Sequence, residues 1–335
     1  MGRRTTDYLA AGQVANLDQF ASMTSSMVTD GPAHGCRALD LRVDGGIDVR
    51  ILPDRGFDIG AAWYAGVPLA WISAVGEHAP LSALPGSAWL EAFSGGLVTT
   101  CGLRNVGAAS EGHGLHGRFS HLAARSATVE REVLNGEVLL SARATIAEVG
   151  ALGPHLRLGR RIRSRTDRGL LELRDTTTNL GPEPEPEPLL YHVNLGPRLV
   201  DQGARLELDA VRTLPRDADA EAGLAIWARP RLPVPGAREV VLEHEVRADS
   251  DGWASARLVN ERVGLELSLR WQAATLPRLH HWVHRAPGIY AFALEPADCS
   301  VLGRAADRAA GRLPVLAVGK VRTTELEVRV DSVEP

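Results

Sequence analysis

Apolar residues recur at every second position along most of this chain. Ile47, Val49 and Ile51 show the pattern, as do Val138, Leu140 and Ala142, then Leu171 and Leu173, and Leu206 and Leu208. The longest run is Val263, Leu265, Leu267, Leu269 and Trp271, and Leu326, Val328 and Val330 make the last. Each run is short and bounded by Gly, Asp, Asn or Pro, which predicts half-buried antiparallel strands joined by turns. Helical spacing is confined to short segments near Leu17 to Met23, Ser87 to Phe93 and Ala305 to Ala310. The expected fold is therefore all-β, a large sandwich of packed sheets with a few short helices. An α/β fold would need helices between the strands. The Pro182-Glu-Pro-Glu-Pro-Glu-Pro188 tract enforces stiff, extended backbone. Strand-like residues follow it at once, so it reads as a connection lying over the sandwich. With no solenoid repeat, one domain over residues 1–335 is expected.

Composition narrows the function classes. The 335 residues carry a net charge of −4 and a pI near 6.3, which advertises no basic face for nucleic acid or an anionic membrane. Lys320 is the one lysine among many arginines. No apolar run approaches a membrane span, and no signal-peptide core follows the charged N-terminus. Cys36, Cys101 and Cys299 are odd in number and widely spaced. They make neither a disulfide framework nor a zinc ribbon, and a reducing cytoplasm is the expected compartment.

Candidate chemistry gathers in a few segments. Glu111-Gly-His-Gly-Leu-His-Gly-Arg118 sets His113 and His116 among glycines that permit a tight turn and close approach to a ligand. Near neutral pH a histidine accepts or donates a proton, so His116 is a candidate acid or base. A solvated glycine-rich turn is the bland alternative. A metal site using His113, His116, His192 and Glu295 is another, with spacing that is not diagnostic. In Tyr191-His-Val-Asn-Leu-Gly196, alternation sends His192 and Asn194 to one face and Tyr191, Val193 and Leu195 to the other. A His–Asn face suits the wall of a polar pocket, or a solvent face. Glu295 stands near the end of the apolar run Tyr290-Ala-Phe-Ala-Leu-Glu-Pro296, where desolvation raises a carboxyl pKa and strengthens it as a base. Arg55, Arg104 and Asn105 are candidate hydroxyl binders, or salt-bridged turn residues. Trp71 and Trp282, the latter in His280-His281-Trp282, offer faces for stacking or for the core. Cys299 reads as a quiet buried thiol. Phosphate loops, dinucleotide fingerprints and serine nucleophile elbows are missing.

Together these segments resemble the aldose 1-epimerase (galactose mutarotase-like) superfamily, most nearly a divergent bacterial branch known as a domain of unknown function. The matching pieces are Pro53-Asp-Arg-Gly-Phe-Asp-Ile59 with Gly66-Val-Pro-Leu-Ala-Trp71, Gly95-Gly-Leu-Val-Thr-Thr-Cys-Gly-Leu103, Gly114-Leu-His-Gly-Arg118, Tyr191-His-Val-Asn-Leu-Gly196, and Leu294-Glu-Pro-Ala-Asp-Cys299 with Gly303-Arg304. They span about residues 30–330. The resemblance implies a galactose mutarotase-like β-supersandwich binding a monosaccharide or sugar derivative in a groove. Glu295 would take the anomeric proton, His192 would protonate the ring oxygen, and His116 would hold hydroxyls or polarise the ring oxygen, making these three the catalytic residues, with no cofactor. The family's substrate-binding arginine and aspartate have no clear counterpart, and Asp251 is the nearest candidate for the aspartate. His113 lies outside the general pattern. A non-catalytic carbohydrate-binding protein and a metal-dependent sugar isomerase stay open beside the mutarotase. Exposed sheet edges leave room for a monomer or a homodimer.

Overall fold

Alternating burial follows the alternating sequence. In the computed structural model, which describes residues 4–333, Glu137–Val149, His155–Arg165 and Arg168–Asn179 are adjacent antiparallel strands. They belong to an eight-stranded sheet completed by Arg125–Leu134, Ala204–Leu208, Trp253–Asn260, Leu265–Gln272 and Val321–Ser332. A six-stranded sheet runs, in spatial order, through Ala210–Pro215, Glu239–Val246, Arg278–His284, Ala291–Ala297, Leu190–Asn194 and Thr99–Cys101. A five-stranded meander at the N-terminal end begins with Ala21–Met27 and finishes with Val67–Pro68.

All three sheets turn an apolar face to one core. Leu41, Val49 and Ile51 of the meander, Ile146, Leu158, Leu269 and Trp271 of the eight-stranded sheet, and Tyr191, Val193, Phe292 and Leu294 of the six-stranded sheet share a single cluster. Each such side chain contributes roughly 1.5–3 kcal/mol by leaving water. The face of the six-stranded sheet turned away from this cluster is the one that carries the polar residues of Leu190–Asn194 and Ala291–Ala297. A smaller apolar cluster, with Trp71, Trp89, Phe93 and Cys299, covers part of it.

A buried charged hub ties the sheets together. Arg160 donates to Asp175 (2.6 Å) in its own sheet and to Asp58 (2.5 Å) in the meander. Asp175 also accepts from the Tyr191 hydroxyl at 2.7 Å, and Thr100 bonds both Asp58 and Arg160. Tyr191 lies on the strand that carries His192, and Thr100 lies on the strand paired beside it. The hub therefore fixes those strands from behind.

Local departures from the sequence pattern have tertiary causes. Leu17 to Met23 is not a helix: a 3₁₀ turn at Leu17–Gln19 leads into the strand Ala21–Met27. Pairing of Met23 with Leu41 captures the segment, and so short a helix has little stability of its own. Ser87 to Phe93 holds the 3₁₀ helix Ala88–Ala92, and Ala305 to Ala310 corresponds to the α-helix Arg304–Ala309. Short helices at Thr5–Ala10 and Ala218–Glu221 have no counterpart in the sequence reading. Within the proline tract, Glu185–Pro186 pairs with Val315–Leu316, and buried Glu187 meets Arg322 at 2.6 Å. No helix among the described residues is long and apolar enough to cross a membrane.

Candidate functional site

The strands Leu190–Asn194 and Ala291–Ala297 pair antiparallel with Leu190 opposite Ala297 and Val193 opposite Leu294, a register that sets His192 directly across from Glu295. Directly opposed residues project on the same face. His192 Nε2 lies 3.1 Å from Glu295 Oε1, and both side chains are about 95% or more buried. Two residues a hundred positions apart thus become one proton-sharing pair. The row continues to His280, opposite Glu295, and Glu243, opposite His280. His280 Nε2 donates to the Cys299 carbonyl at 2.9 Å, and burial keeps this ring neutral.

The pair forms the floor of a cleft of about 970 Å³, counting its open mouth. Aromatic rings make the walls. Phe93 and Trp282 approach the His192 ring edge-on at 5.2 and 5.3 Å, and Trp89 stacks on Phe93 at 4.3 Å. At the rim, Trp282 Nε1 donates to Glu239 at 3.1 Å, and Arg216 binds Glu239 at 2.8 Å and Asp217 at 2.7 Å. Asp217 also caps the helix Ala218–Glu221 through the Ala220 N–H.

His116 enters the cleft from the glycine-rich loop. Its backbone is left-handed, with φ near 57°. It is held there by bonds from Gly102 N–H to its carbonyl and from its own N–H to Gly107. A side chain on Gly114 would strike the Leu84 carbonyl at 1.8 Å, so the close packing of this loop requires glycine. His116 Nδ1 accepts from the Gly107 N–H at 3.3 Å. The neutral ring then carries its proton on Nε2, on the atom left for a ligand. Trp89 flanks it at 4.7 Å, and His192 lies at 6.2 Å between ring centres.

Burial dominates the electrostatics. It pushes the Glu295 carboxyl up to about 8, aided by the Glu239 charge and opposed by Arg216. Burial takes His192 down to about 3, with His116 adding to the effect, and His116 itself down to about 4. At neutral pH the floor pair therefore holds one proton and no net charge, with the carboxylic acid donating to His192 Nε2. His192 Nδ1 has no partner. Cys299 is fully buried, with its thiol pKa well above the usual range, which agrees with a quiet thiol.

Of the residues singled out from sequence, His116, His192, Glu295 and Trp282 line this one cleft, and the others do not. Arg55 is buried outside this cleft, and three of its five N–H donors are committed to the backbone carbonyls of Ser120, His78 and Ala92. Asn105 is equally committed, donating to Ala108 and Gly114 and accepting from the Arg304 N–H. Asn194 is wholly buried and donates to the carbonyls of Gly96 and His192. Arg104 faces Glu185 at 3.9 Å, and Asp251 sits in an exposed turn before Trp253–Asn260. His113 lines a neighbouring cleft with Arg118 and Glu148, where Arg304 contacts its Nε2 at 3.0 Å. His113 and His116 thus serve different cavities. Among the described residues no group of three or more His, Cys, Asp or Glu is arranged to hold a metal ion. Trp71 belongs to the second apolar cluster.

Sequence reasoning missed Arg216, Glu239, Trp89 and Phe93. Glu239 had a signal. In Glu239-Val-Val-Leu-Glu-His-Glu-Val246 the acids at 239, 243 and 245 share one strand face. Arg216 had none beyond its place after a strand-ending proline.

The sequence profile of a family described as a domain of unknown function (DUF4432) matches residues 33–330. A comparison with curated proteins found no match. Among solved structures, a Klebsiella pneumoniae protein provisionally named an aldose 1-epimerase superposes with a TM-score of 0.83 at 20% identity, covering 96% of this chain and 89% of that one. A galactose mutarotase-like protein of Clostridium acetobutylicum gives 0.64 at 11% identity, covering 94% and 100%. An Escherichia coli protein, also provisionally an aldose 1-epimerase, gives 0.59 at 16% identity, covering 93% and 100%. At these identities the likeness establishes the fold, which is galactose mutarotase-like.

Proposed function

The chain belongs to the DUF4432 family, and from that premise and its cleft we propose that it is a cofactor-independent mutarotase acting on an aldose or a related sugar derivative. The observation that carries the reading is the 3.1 Å contact between His192 and Glu295 at the floor of an aromatic cleft. Anomerisation needs such a group pair. One partner removes the proton from the anomeric hydroxyl while the other protonates the ring oxygen, and the ring C–O bond opens to an aldehyde. Rotation of that aldehyde and closure, with both proton transfers reversed, gives the other anomer.

The resting proton lies on Glu295. Its transfer along the 3.1 Å contact makes a Glu295 carboxylate and a His192 imidazolium, the base and acid of the reaction. The two forms have the same total charge, so no ion need enter or leave the buried floor. Glu295 is then a strong base because it is desolvated. His116 Nε2–H gives a neutral donor for a substrate oxygen, and Trp282, Trp89 and Phe93 supply apolar faces for the C–H side of a sugar ring. The Arg216–Glu239 pair offers a donor and an acceptor for hydroxyls at the rim.

NMR of freshly dissolved single anomers, over a panel of hexoses, pentoses and sugar acids, tests the reading. Anomeric exchange faster with protein than in buffer for at least one sugar is the expected result. Exchange at the buffer rate across the panel would leave the cleft without this chemistry.

A further inference from the structure

The strands that carry the cleft hold a second cavity on their opposite face. Val240, Leu242, His281, Val283 and Phe292 line it, and these positions alternate along the strands with Glu239, Val241 and Trp282 of the first cleft. It encloses about 670 Å³, counting its mouth, beneath a cover that includes Ile226 and Trp227. Trp227, Tyr290 and Phe292 give it aromatic walls.

Two features set it apart from a packing gap. The first is His281, which is 1% exposed, yet neither ring nitrogen has a partner. A neutral imidazole has one donor and one acceptor, and burying both unused is costly. Phe292 packs against the ring at 4.6 Å and His244 at 5.9 Å, so neither satisfies it. The second is charge. Arg229, Arg231 and Arg285 line the same cavity, and among the described residues none of the three has an ion-pair partner. Arg285 donates only to the Leu232 carbonyl, at 3.3 Å. Most arginines of this chain sit against a carboxylate; three that do not are gathered around one apolar cavity.

We propose that this cavity is a binding site for a small amphipathic acid. Its aromatic or otherwise apolar body would lie between Trp227, Tyr290 and Phe292, its carboxylate on the three guanidinium groups, and a polar substituent on His281. Guanidinium forks match a carboxylate's two oxygens, and a low-dielectric wall beside them strengthens the bond. An unmodified sugar fits poorly, because its hydroxyls would face aliphatic and aromatic carbon. A neutral hydrocarbon would leave the arginines and His281 unused. The inference does not depend on the chemistry proposed for the first cleft.

Calorimetric titration with 4-hydroxyphenylacetate tests it, beside 2-(4-hydroxyphenyl)ethanol, which lacks the charge, and inorganic phosphate, which lacks the body. Saturable binding of the acid is expected, weaker by at least about tenfold for either control. Arg229→Gln, Arg231→Gln and Arg285→Gln combined should weaken the acid by a similar factor, while Glu295→Gln leaves it unchanged. His281→Leu should reduce the preference for 4-hydroxyphenylacetate over phenylacetate. The proposal is overturned by absence of saturable binding, by equal affinity for the alcohol, or by indifference to the triple substitution. It is overturned equally if sedimentation finds a dimer that the triple substitution dissociates, because the cavity would then be a contact between copies.

Discussion

Replacing Glu295 with Gln separates the chemistry of the floor from its architecture. Gln keeps the length of the side chain, and its amide N–H can donate to His192 Nε2 as the carboxylic O–H does. The 3.1 Å contact is retained, but the exchangeable proton is lost. Turnover should fall by at least about a hundredfold, the scale of one acid–base group. Stability should move the other way. Burial raises the Glu295 pKa from 4.5 to about 8, so between those values the folded chain stays protonated there while the unfolded chain ionises. The stabilisation from this raised pKa is complete below pH 4.5 and lost as pH rises through 8. At about 1.4 kcal/mol per pH unit, the loss is roughly 3 kcal/mol at pH 7 and about 5 kcal/mol above pH 8. Gln never ionises and escapes this loss. Its thermal midpoint should therefore exceed that of the wild type at pH 8, with the gain vanishing by pH 4.5. Calorimetric scans between these values, with anomeric exchange followed by NMR, measure both effects. A variant no more stable than wild type at pH 8 would refute the buried, protonated carboxyl. One that still speeds exchange would refute its role in proton transfer. Wild-type turnover should itself decline as pH rises through about 8, where the pair gives up its proton.

His116→Asn keeps a residue that tolerates a left-handed backbone but withdraws the imidazole N–H from the cleft. KM should rise by about tenfold, the worth of one hydrogen bond, with the thermal midpoint little changed; steady-state kinetics and calorimetry separate the two. Arg55→Met should do the reverse. Three carbonyls lose their donor, those of Ser120 and Ala92 in buried bonds and that of His78 in a partly buried one, so stability should drop by about 3 kcal/mol while KM of the folded protein holds. A raised KM with an unchanged melting point would instead make Arg55 a ligand-binding residue.

The fold was readable because period-two alternation is a local property that survives packing: Leu171 and Leu173 are buried wherever their sheet lies. Register is not local. Alternation put His192 on the polar face of its strand, but only pairing of Val193 with Leu294 decided that Glu295 would stand opposite. The glycine-rich loop was recognisable, while its division was not: His116 turns into the cleft and His113 to the Arg304 side. Arg55 and Asn105 show why binding residues are hard to choose from sequence. Donors that hold backbone carbonyls look the same in a sequence as donors that hold a ligand. Arg216 had no motif around it, and the acidic strand face that carries Glu239 could be placed at the rim only once strand order was known.

The Arg160 hub makes assembly self-checking. A one-residue slip of Leu190–Asn194 against its neighbours would reverse its faces, turning Tyr191 into the cleft and His192 toward the core. Asp175 would then lose the Tyr191 hydroxyl, and a hub built from three sheets would hold its buried carboxylate with one donor fewer, through Arg160. The arrangement that satisfies these buried charges is the same one that brings His192 to Glu295. Fidelity at the cleft floor is thus enforced by groups on the far side of the sheet.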